Sequence, residues 1–285
     1  MRVKKKIELW LIRLLAMISP VIARSFTFRK ATDLTFSSFK TKQQGEVEIL
    51  LMPYFLKKDS VFIDIGANKG LYCYYAEKII PENNIIAFEP VPSISVVLKL
   101  LFPKARIVRK AVSDTKGTAT LSIPVHKQNY LIDTRSTLER NSPELSGNFE
   151  TIQVKITTLD QELENFNIKN IGLIKADVEG HEIKLIRGAK KTLIEKRPYL
   201  IIEIDLINHN NDLSNAFKSI NELDYLIYYF ELDSLTLKPA YNPQKDQFLP
   251  LSISGEIHNY VCFPKENEGY VNEVNSAIHK RLKSA

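Results

Sequence analysis

The clearest candidate for a binding site is the run Asp64-Ile-Gly-Ala-Asn-Lys-Gly70. It overlaps the strand-like run 61–65 and leads into a helical pattern, so it predicts a sharp turn between a strand and a helix. Glycine lets the backbone turn tightly and approach a ligand, and the start of a helix offers free N–H groups. Asp64 would suit the ammonium group of an amino acid, and a helix N-cap is the alternative for an Asp at this place.

A second acid, Glu89, lies 25 residues after Asp64 at the end of the next predicted strand, 84–89. An acid at this place can accept hydrogen bonds from both hydroxyls of a ribose. A helix cap is again the alternative, because Pro90 follows. The run Gly66-Ala-Asn-Lys-Gly70 is not the dinucleotide fingerprint G-x-G-x-x-G, which disfavours NAD. An acid for an amino-acid group and an acid for a ribose, on successive strands, together predict S-adenosylmethionine as the ligand.

A third cluster follows the predicted strand 171–177 and contains Asp177, Glu179 and His181. If the predicted ligand donates its methyl group to a hydroxyl group, a general base must take the proton of that hydroxyl, and each of these three residues could do so. The intrinsic pKa of an imidazole suits that task. The alternatives are structural: His181 bonded to the backbone or to Glu182, and Glu179 stabilised by the dipole of the helix that follows.

These motifs, in this order, resemble the FkbM family of S-adenosylmethionine-dependent methyltransferases. The matching segments are FIDIGANKG at 62–70, IAFEP at 86–90, Ala111-Val-Ser-Asp114 with Gly117, and KADVEGHE at 175–182 followed by LIRGA at 185–189. The resemblance covers about residues 45–205. It implies the class I methyltransferase fold, an α/β Rossmann-like fold with a mostly parallel seven-stranded sheet, one antiparallel strand and helices on both faces.

The resemblance also implies roles for individual residues. Asp64, Gly66, Asn68 and Gly70 would line the methionine end of the cofactor, Glu89 would hold the ribose, and Ala111, Ser113 and Asp114 would flank the adenine. Asp177 would face the cofactor and the acceptor. The expected acceptor is a hydroxyl on a sugar or on a glycolipid or polysaccharide intermediate, which is an analogy with the family. The alternatives are a nucleotide-dependent oxidoreductase or epimerase, and a binding protein that keeps the fold without turnover.

From residue 60 onward, short apolar runs alternate with helical patterns, which is typical of a parallel sheet built from βαβ units. Further strands are predicted at 106–112, 199–204, 225–230 and 258–263, a hairpin or sheet extension at 117–123 and 151–156, and helices at 69–80, 181–196, 211–222 and 267–283. The continuous apolar run 199–204 should lie in the middle of the sheet. We interpret 233–255 as an irregular connection. The polar stretch 126–150 is either a lid over the acceptor or a mobile hairpin connection.

The net charge of +6 belongs to one end of the chain. Residues 1–30 hold eight of the 39 Lys and Arg residues and one of the 33 Asp and Glu residues, which leaves 31 bases and 32 acids elsewhere. A nucleic-acid groove needs bases clustered on the folded domain, so we expect no nucleic-acid partner. We expect a basic and apolar helical appendage over residues 1–40 and a methyltransferase domain over residues 41–285.

The apolar run 7–18 is interrupted by Glu8 and Arg13 and is too short to span a bilayer. Three interpretations remain open: a helix docked on its own domain, an interfacial helix on anionic lipid with Trp10 at headgroup level, and a secretory signal. Cys73 and Cys262 stand alone, and no histidines lie at metal-ligand spacing, so we expect neither a disulfide nor a metal site. This cysteine usage fits the cytoplasm, either free or at the inner face of the membrane.

Overall fold

The computed structural model describes residues 2–29, 35, 46–125, 136–139, 148–164, 166, 168, 170–205, 208, 213–242, 247–248 and 258–283. The helices are α1 (Arg2–Ile18), α2 (Pro20–Thr27), α3 (Met52–Phe55), α4 (Leu71–Ala76), α5 (Pro92–Leu101), α6 (Leu159–Glu164), α7 (Glu182–Gly188), α8 (Lys190–Lys196), α9 (Ser214–Asn221) and α10 (Tyr270–Lys283). The strands are β1 (Val61–Ile65), β2 (Ile85–Phe88), β3 (Arg106–Val108), β4 (Ala111–Val112), β5 (Gly117–Pro124), β6 (Phe149–Thr157), β7 (Ile171–Ala176), β8 (Tyr199–Glu203), β9 (Tyr225–Glu231), β10 (Thr236–Pro239), β11 (Tyr241–Asn242), β12 (Gln247–Phe248) and β13 (Asn259–Pro264).

The main sheet has eight strands in the order β10-β9-β13-β8-β7-β1-β2-β3. The strands from β8 to β3 are parallel to one another, and β13 runs antiparallel between β8 and β9. This is the expected α/β fold, with β8 near the middle of the sheet and β13 as the inserted antiparallel strand. The eighth strand, β10, pairs antiparallel with β9 at the edge of the sheet.

The interpretation of 233–255 as irregular was therefore wrong for β10 and for the small β11–β12 pair. A tight turn after β9, with Leu235 at φ +52°, brings the chain back along that strand. Leu237 is buried between half-exposed neighbours, which is the alternation expected of an edge strand. The strand is so short that this alternation is weak in the sequence.

Two other predicted elements are split. The predicted strand 106–112 leaves the main sheet after Val108, where a tight turn with a Lys110 N–H to Val108 O hydrogen bond of 2.9 Å starts β4. β4 then joins β5 and β6 in a second sheet, and β5 and β6 form the predicted antiparallel extension. The predicted helix 181–196 breaks into α7 and α8 at Ala189, directly after Gly188, where a Cβ atom would lie 1.9 Å from the Ser113 carbonyl oxygen.

The two faces of the main sheet build two cores. Side chains alternate along a strand, so Phe62, Leu173 and Ile201 pack on one face with residues of α4, α5 and α10. Ile63, Ile174 and Ile202 pack on the other face with residues of α7, α8 and α9. The first face matters for function, because the same alternation places Asp64, Lys175 and Glu203 on it.

Helices α1 and α2 pack against the first of these cores. Ile12, Ala16 and Ala23 are buried in it. The buried Arg24 guanidinium donates to the Leu101 carbonyl oxygen at 2.5 Å and lies 3.0 Å from the Glu77 carboxylate. The interpretation of this segment as a helix docked on its own domain is therefore correct for the inner side of α1 and α2. The predicted boundary at residue 40 lies outside the described residues, as does most of the predicted lid 126–150. Among the described residues, no helix is long and apolar enough to cross a membrane.

Candidate active site

A cavity of about 570 Å³ opens at the carboxyl ends of β1, β2 and β7. Ligands of parallel α/β sheets commonly bind at this edge. Eight of the eleven predicted site residues line it: Asp64, Gly66, Asn68, Glu89, Ala111, Asp177, Glu179 and His181. Gly70, Ser113 and Asp114 are not among its lining residues. Their contacts, described below, support the residues that are.

The turn after β1 needs a glycine at its first position. Gly66 has φ +79°, and a Cβ atom there would lie 1.9 Å from the Asp177 carbonyl oxygen. Asn68 also has positive φ, at +49°, a conformation that Asn tolerates better than most residues. This loop is therefore held against the end of β7.

Gly70 serves the packing of the loop. It is the N-cap residue of α4 with φ +87°, and a Cβ atom on it would lie 2.6 Å from Leu98 of α5 and 2.7 Å from Phe102, which follows that helix. Since Gly70 occupies the cap position and α4 has no side-chain cap, Asp64 is not an N-cap.

Asp64 is buried and faces the cavity. The Cys73 thiol donates to its Oδ2 at 3.2 Å. Burial raises the pKa of the Asp64 carboxyl to about 6, although the Cys73 hydrogen bond and the Lys175 charge oppose this shift. A cationic group entering the cavity would favour its ionised form.

Glu89 bonds to the start of a helix and also lines the cavity. Its Oε1 accepts from the N–H of Val91, the N-cap residue of α5, at 2.7 Å. Its Oε2 accepts from the N–H of Asn68 at 2.9 Å. The carboxylate therefore joins the loop after β1 to the start of α5, and it also lines the cavity. Each carboxylate oxygen can accept more than one hydrogen bond, so this joining role is compatible with binding a ribose.

Lys175 is the main cavity residue that the sequence interpretation missed. It lies on β7 between Asp64 of β1 and Ile201 of β8. Its buried ammonium donates to Asn259 Oδ1 at 3.3 Å and lies 3.7 Å from Glu203 Oε2. The only sequence signal was a lysine within an otherwise apolar strand that is buried at every position.

Several carboxyl groups surround the single ammonium group of Lys175. Burial lowers the pKa of Lys175, but Asp177, Glu46, Glu203 and Asp64 raise it further, so the ammonium stays charged. Burial foremost raises the pKa values of Asp177 and Glu203, and Lys175 only partly offsets this. Among the described residues, this part of the cavity therefore has more acidic groups than one ammonium can neutralise.

Two polar atoms beside this cluster, the buried Tyr72 hydroxyl and Glu46 Oε2, make no hydrogen bond of regular geometry with the described residues. The two groups are nevertheless close to each other: burial foremost, and then the Glu46 carboxylate, raise the pKa of the Tyr72 hydroxyl. Both residues line the cavity. Tyr72 also faces the Lys175 ammonium, which lies 5.2 Å from its ring centroid. Tyr74 of the same helix packs instead against Phe28, at 4.8 Å between ring centroids. Buried polar groups that make no regular hydrogen bond indicate a place where a polar ligand binds.

His181 bridges three segments. Its Nδ1 lies 2.6 Å from Glu139 Oε1, and its Nε2 lies 2.9 Å from Ser113 Oγ. The hydrogen bond with His181 is the largest cause that lowers the pKa of Glu139 to about 2, and a bond from Lys184 adds to it. Neither the backbone nor Glu182 is the partner of the imidazole in these bonds. The imidazole thus connects the turn after β4 to residues 136–139.

The remaining predicted residues surround this bridge. Ser113 is buried and its Oγ bonds Asp114 Oδ1 at 3.2 Å. The carbonyl oxygen of Glu179 accepts from Thr137 Oγ1 at 2.6 Å, and its carboxylate accepts from Asn208 Nδ2 at 3.3 Å. Glu179 has φ +46° and precedes α7, whose N-cap is His181.

Both cysteines are free and buried. The described residues contain no group of side chains arranged to hold a metal ion.

The residues of the cavity fit S-adenosylmethionine. The ligand carries a sulfonium and an ammonium, and the excess of acidic groups near Asp64 complements both. Its ribose hydroxyls suit Glu89, and the positive-φ turn at Gly66 brings backbone close to the ligand. This fold, with one acid at the end of β1 and another after β2, defines a class I S-adenosylmethionine-dependent methyltransferase.

A family model described as the methyltransferase FkbM domain matches residues 64–229. The match covers more than half of the chain, so the chain belongs to the FkbM methyltransferase family. Its domain is a methyltransferase domain that uses S-adenosylmethionine.

Two fungal proteins are similar to this chain. Methyltransferase 1 of Beauveria bassiana (strain ARSEF 2860) is 26% identical over 167 residues, covering 50% of this chain and 67% of that protein. Methyltransferase sdnD of Sordaria araneosa is 24% identical over 174 residues, covering 52% and 67%. Among solved structures, the methyltransferase FkbM from Methylobacillus flagellatus KT aligns with a TM-score of 0.40 at 12% identity. That alignment covers 85% of this chain but only 59% of the solved one.

Proposed function

We propose that this protein methylates a hydroxyl group of a sugar, on a glycolipid or polysaccharide intermediate. The observation that carries the proposal is the acidic cluster around Lys175, which borders the cofactor residues in the same cavity. A polyol both donates and accepts hydrogen bonds. Carboxylates, a phenol and an ammonium together complement such a group.

Asp177 is the residue we assign as general base. It directly follows β7, and its N–H donates to the Ile65 carbonyl oxygen at 2.9 Å, so its position is fixed relative to the cofactor loop. Burial raises its pKa toward the range in which a carboxylate is an effective base near neutral pH. Bound S-adenosylmethionine supplies an activated methyl group and leaves as S-adenosylhomocysteine. As the acceptor oxygen gains that methyl group, the Asp177 carboxylate takes the proton that the oxygen loses.

The acceptor subsite would comprise Lys175, Glu203, Glu46 and Tyr72. The pairing of Glu203 with Asn259 and the bond from Lys175 to Asn259 hold the first two in place. The Tyr72 hydroxyl and Glu46 Oε2, which make no hydrogen bond of regular geometry with the described residues, would then bind neighbouring sugar hydroxyls. These fixed groups would align one acceptor oxygen for transfer, and such alignment accounts for much of the rate in methyl transfer.

His181 and Glu179 have positioning roles in this proposal. Both nitrogens of His181 are engaged, so acting as a base would require Nε2 to exchange Ser113 for the acceptor. A positioning role, in which His181 holds residues 136–139 against the loop after β7, needs no change of hydrogen-bond partner. His181→Gln is therefore expected to lower activity without removing the dependence of rate on pH.

The proposal is tested by incubating the protein with methyl-labelled S-adenosylmethionine and a panel of free and lipid-linked sugars. The expected product carries the label on a sugar oxygen, as a methoxyl group identifiable by NMR. Asp177→Asn is expected to lower kcat about 10²- to 10⁴-fold with little change in S-adenosylmethionine affinity. Asp59→Asn, on an exposed turn, is the matched control. Label on nitrogen or carbon, or full activity of Asp177→Asn, would contradict the proposal.

A further inference from the structure

The outer side of α1 and α2 carries most of the large apolar side chains that are exposed among the described residues. Seven of the ten large apolar side chains exposed among the described residues lie there: Ile7, Trp10, Leu14, Met17, Ile18, Val21 and Ile22. Trp10 is 62% exposed, and Met17 and Ile18 are each 71% exposed. The spacing of the α1 members places them on one stripe of the helix. We call these seven residues the outer face.

The outer face belongs to helices that are folded onto the domain. Ile12 and Ala16, on the opposite side of α1, are buried in the first core. Arg13 donates to the Ser93 carbonyl oxygen at 3.4 Å, and Glu8 pairs with Lys69 at 3.3 Å. Docking therefore uses one side of the helices and leaves the outer face on the surface. A contiguous apolar patch of this kind marks a binding surface.

The charges of the same segment indicate its partner. Arg2, Lys4, Lys5 and Lys6 occupy the start of α1, and Glu8 is the only acid in the first thirty residues. An apolar stripe next to a basic cluster is the pattern of helices that lie in the headgroup region of an anionic bilayer. A protein partner would need acidic residues at positions that match these bases. An anionic bilayer instead offers negatively charged headgroups everywhere along its surface.

We propose that the outer face of α1–α2 binds the surface of a membrane that contains anionic lipids, with the helices lying in the interface. The seven apolar side chains enter the headgroup layer, and the basic start of α1 binds lipid phosphates. The docked-helix and interfacial-helix interpretations of the sequence then describe the two sides of one element.

This surface is joined to the active-site cavity. Thr27 and Phe28, at the end of α2, are part of the cavity wall, and so is Lys69, the partner of Glu8. Membrane binding would thus bring the cavity close to the headgroup layer. Resting on the proposed function, we infer that the acceptor is an amphiphile, with its sugar in the cavity and its lipid chain in the bilayer.

Trp10 provides a direct probe, because it is the only tryptophan in the chain. The experiment adds vesicles of phosphatidylcholine alone, or of phosphatidylcholine with phosphatidylglycerol, and records tryptophan fluorescence and co-sedimentation. The expected result is a blue shift and sedimentation with the anionic vesicles only, both weakened by salt. Equal binding to neutral vesicles, or no binding to either, would overturn the proposal.

Variants separate the contribution of the apolar side chains to membrane binding from that of the basic start of α1. All of them keep Trp10 as the fluorescence probe. Met17→Glu with Ile18→Glu should weaken binding about tenfold or more, because two side chains that enter the interface become charged. Replacing Lys4, Lys5 and Lys6 with Gln should weaken it by roughly fivefold per charge removed. Ile194→Glu, at an exposed apolar position of α8, is the matched control and should bind like the unmodified chain. Thermal unfolding checks that each variant is folded.

A second copy of the chain is the alternative partner of the outer face. Sedimentation of the protein in the absence of lipid tests this alternative. A stable dimer that Met17→Glu with Ile18→Glu dissociates would overturn the proposal, whereas a monomer supports it. Vesicle binding requires no methyl transfer, and transfer to soluble sugars requires no vesicle. Failure of either proposal can therefore be recognised independently of the other.

Discussion

Gly66 and Asp177 are so close that a Cβ atom on Gly66 would lie 1.9 Å from the Asp177 carbonyl oxygen. The Asp177 N–H also donates to the Ile65 carbonyl oxygen at 2.9 Å. The cofactor loop and the assigned base are therefore held together through the ends of β1 and β7. Any change at Gly66 should affect both.

Gly66→Ala is expected to destabilise the protein. The new methyl group would clash with a backbone atom, and φ +79° is strained for alanine. Together these effects should lower the free energy of unfolding by about 2–4 kcal/mol and weaken S-adenosylmethionine binding. Chemical denaturation and calorimetry measure the two effects. Gly269→Ala, where a Cβ atom would meet nothing within 4 Å, is the control. Equal stability of the two variants would show that the contact is not tight.

S-adenosylmethionine binding should weaken at acid pH. The ionised Asp64 carboxylate attracts the ligand ammonium, and burial raises its pKa to about 6. Above that pH the dissociation constant should change little. Below it, the constant should rise by up to about tenfold per pH unit, because protonation removes the charge. Asp64→Asn should bind weakly and lose most of this pH dependence, whereas Asp59→Asn should keep it. An unchanged pH profile in Asp64→Asn would remove this role from Asp64.

Lys175→Met should be strongly destabilising near pH 7, because it leaves the surrounding carboxyl groups without their cation. Removal of one partner of a buried ion pair typically costs about 3–5 kcal/mol. The loss should shrink as the pH falls through about 6, where the Asp64 carboxyl becomes protonated. The Lys175 pKa is raised, so its own ionisation does not change in that range. Denaturation at several pH values measures this. Lys191→Met removes an exposed pair with Glu164 and should cost less than about 1 kcal/mol.

Glu139→Gln should lower stability at neutral pH through the loss of its bonds with His181 and Lys184. The pKa of Glu139 is lowered from 4.5 to about 2, foremost by the His181 bond. Its contribution is therefore complete above about pH 4.5 and disappears as the pH falls through about 2. The difference between the variant and the unmodified chain should follow the same course in acid denaturation. A difference that stays constant down to the lowest pH would contradict the assignment.

The sequence was sufficient to predict the order and type of most elements of the main sheet. Strands such as β1 and β8 have continuous apolar runs, and the turn at Asp64–Gly70 has a motif of its own. The edge strand β10 was missed because four residues with one buried side chain give little periodicity. The break at Ala189 was missed, although Gly188 precedes it; the close approach of Gly188 to the Ser113 backbone involves a segment that is distant in sequence.

The acidic cluster could not be predicted in the same way. Asp64, Lys175 and Glu203 are brought side by side by strand pairing, and no local pattern reports that pairing. The partners of His181 were also unpredictable, since Glu139 and Ser113 come from other segments. Motifs identified the residues assigned to the cofactor, whereas the residues proposed for the acceptor were recognised only from the tertiary structure.

The central claim is that the cavity between β1, β2 and β7 binds S-adenosylmethionine through Asp64 and Glu89. Calorimetric titration of the chain with S-adenosylmethionine, and separately with NAD, tests it most directly. We expect saturable binding of S-adenosylmethionine at one site, no heat with NAD, and clearly weaker binding by Glu89→Gln. No heat with S-adenosylmethionine, or unchanged affinity in Glu89→Gln, would contradict it.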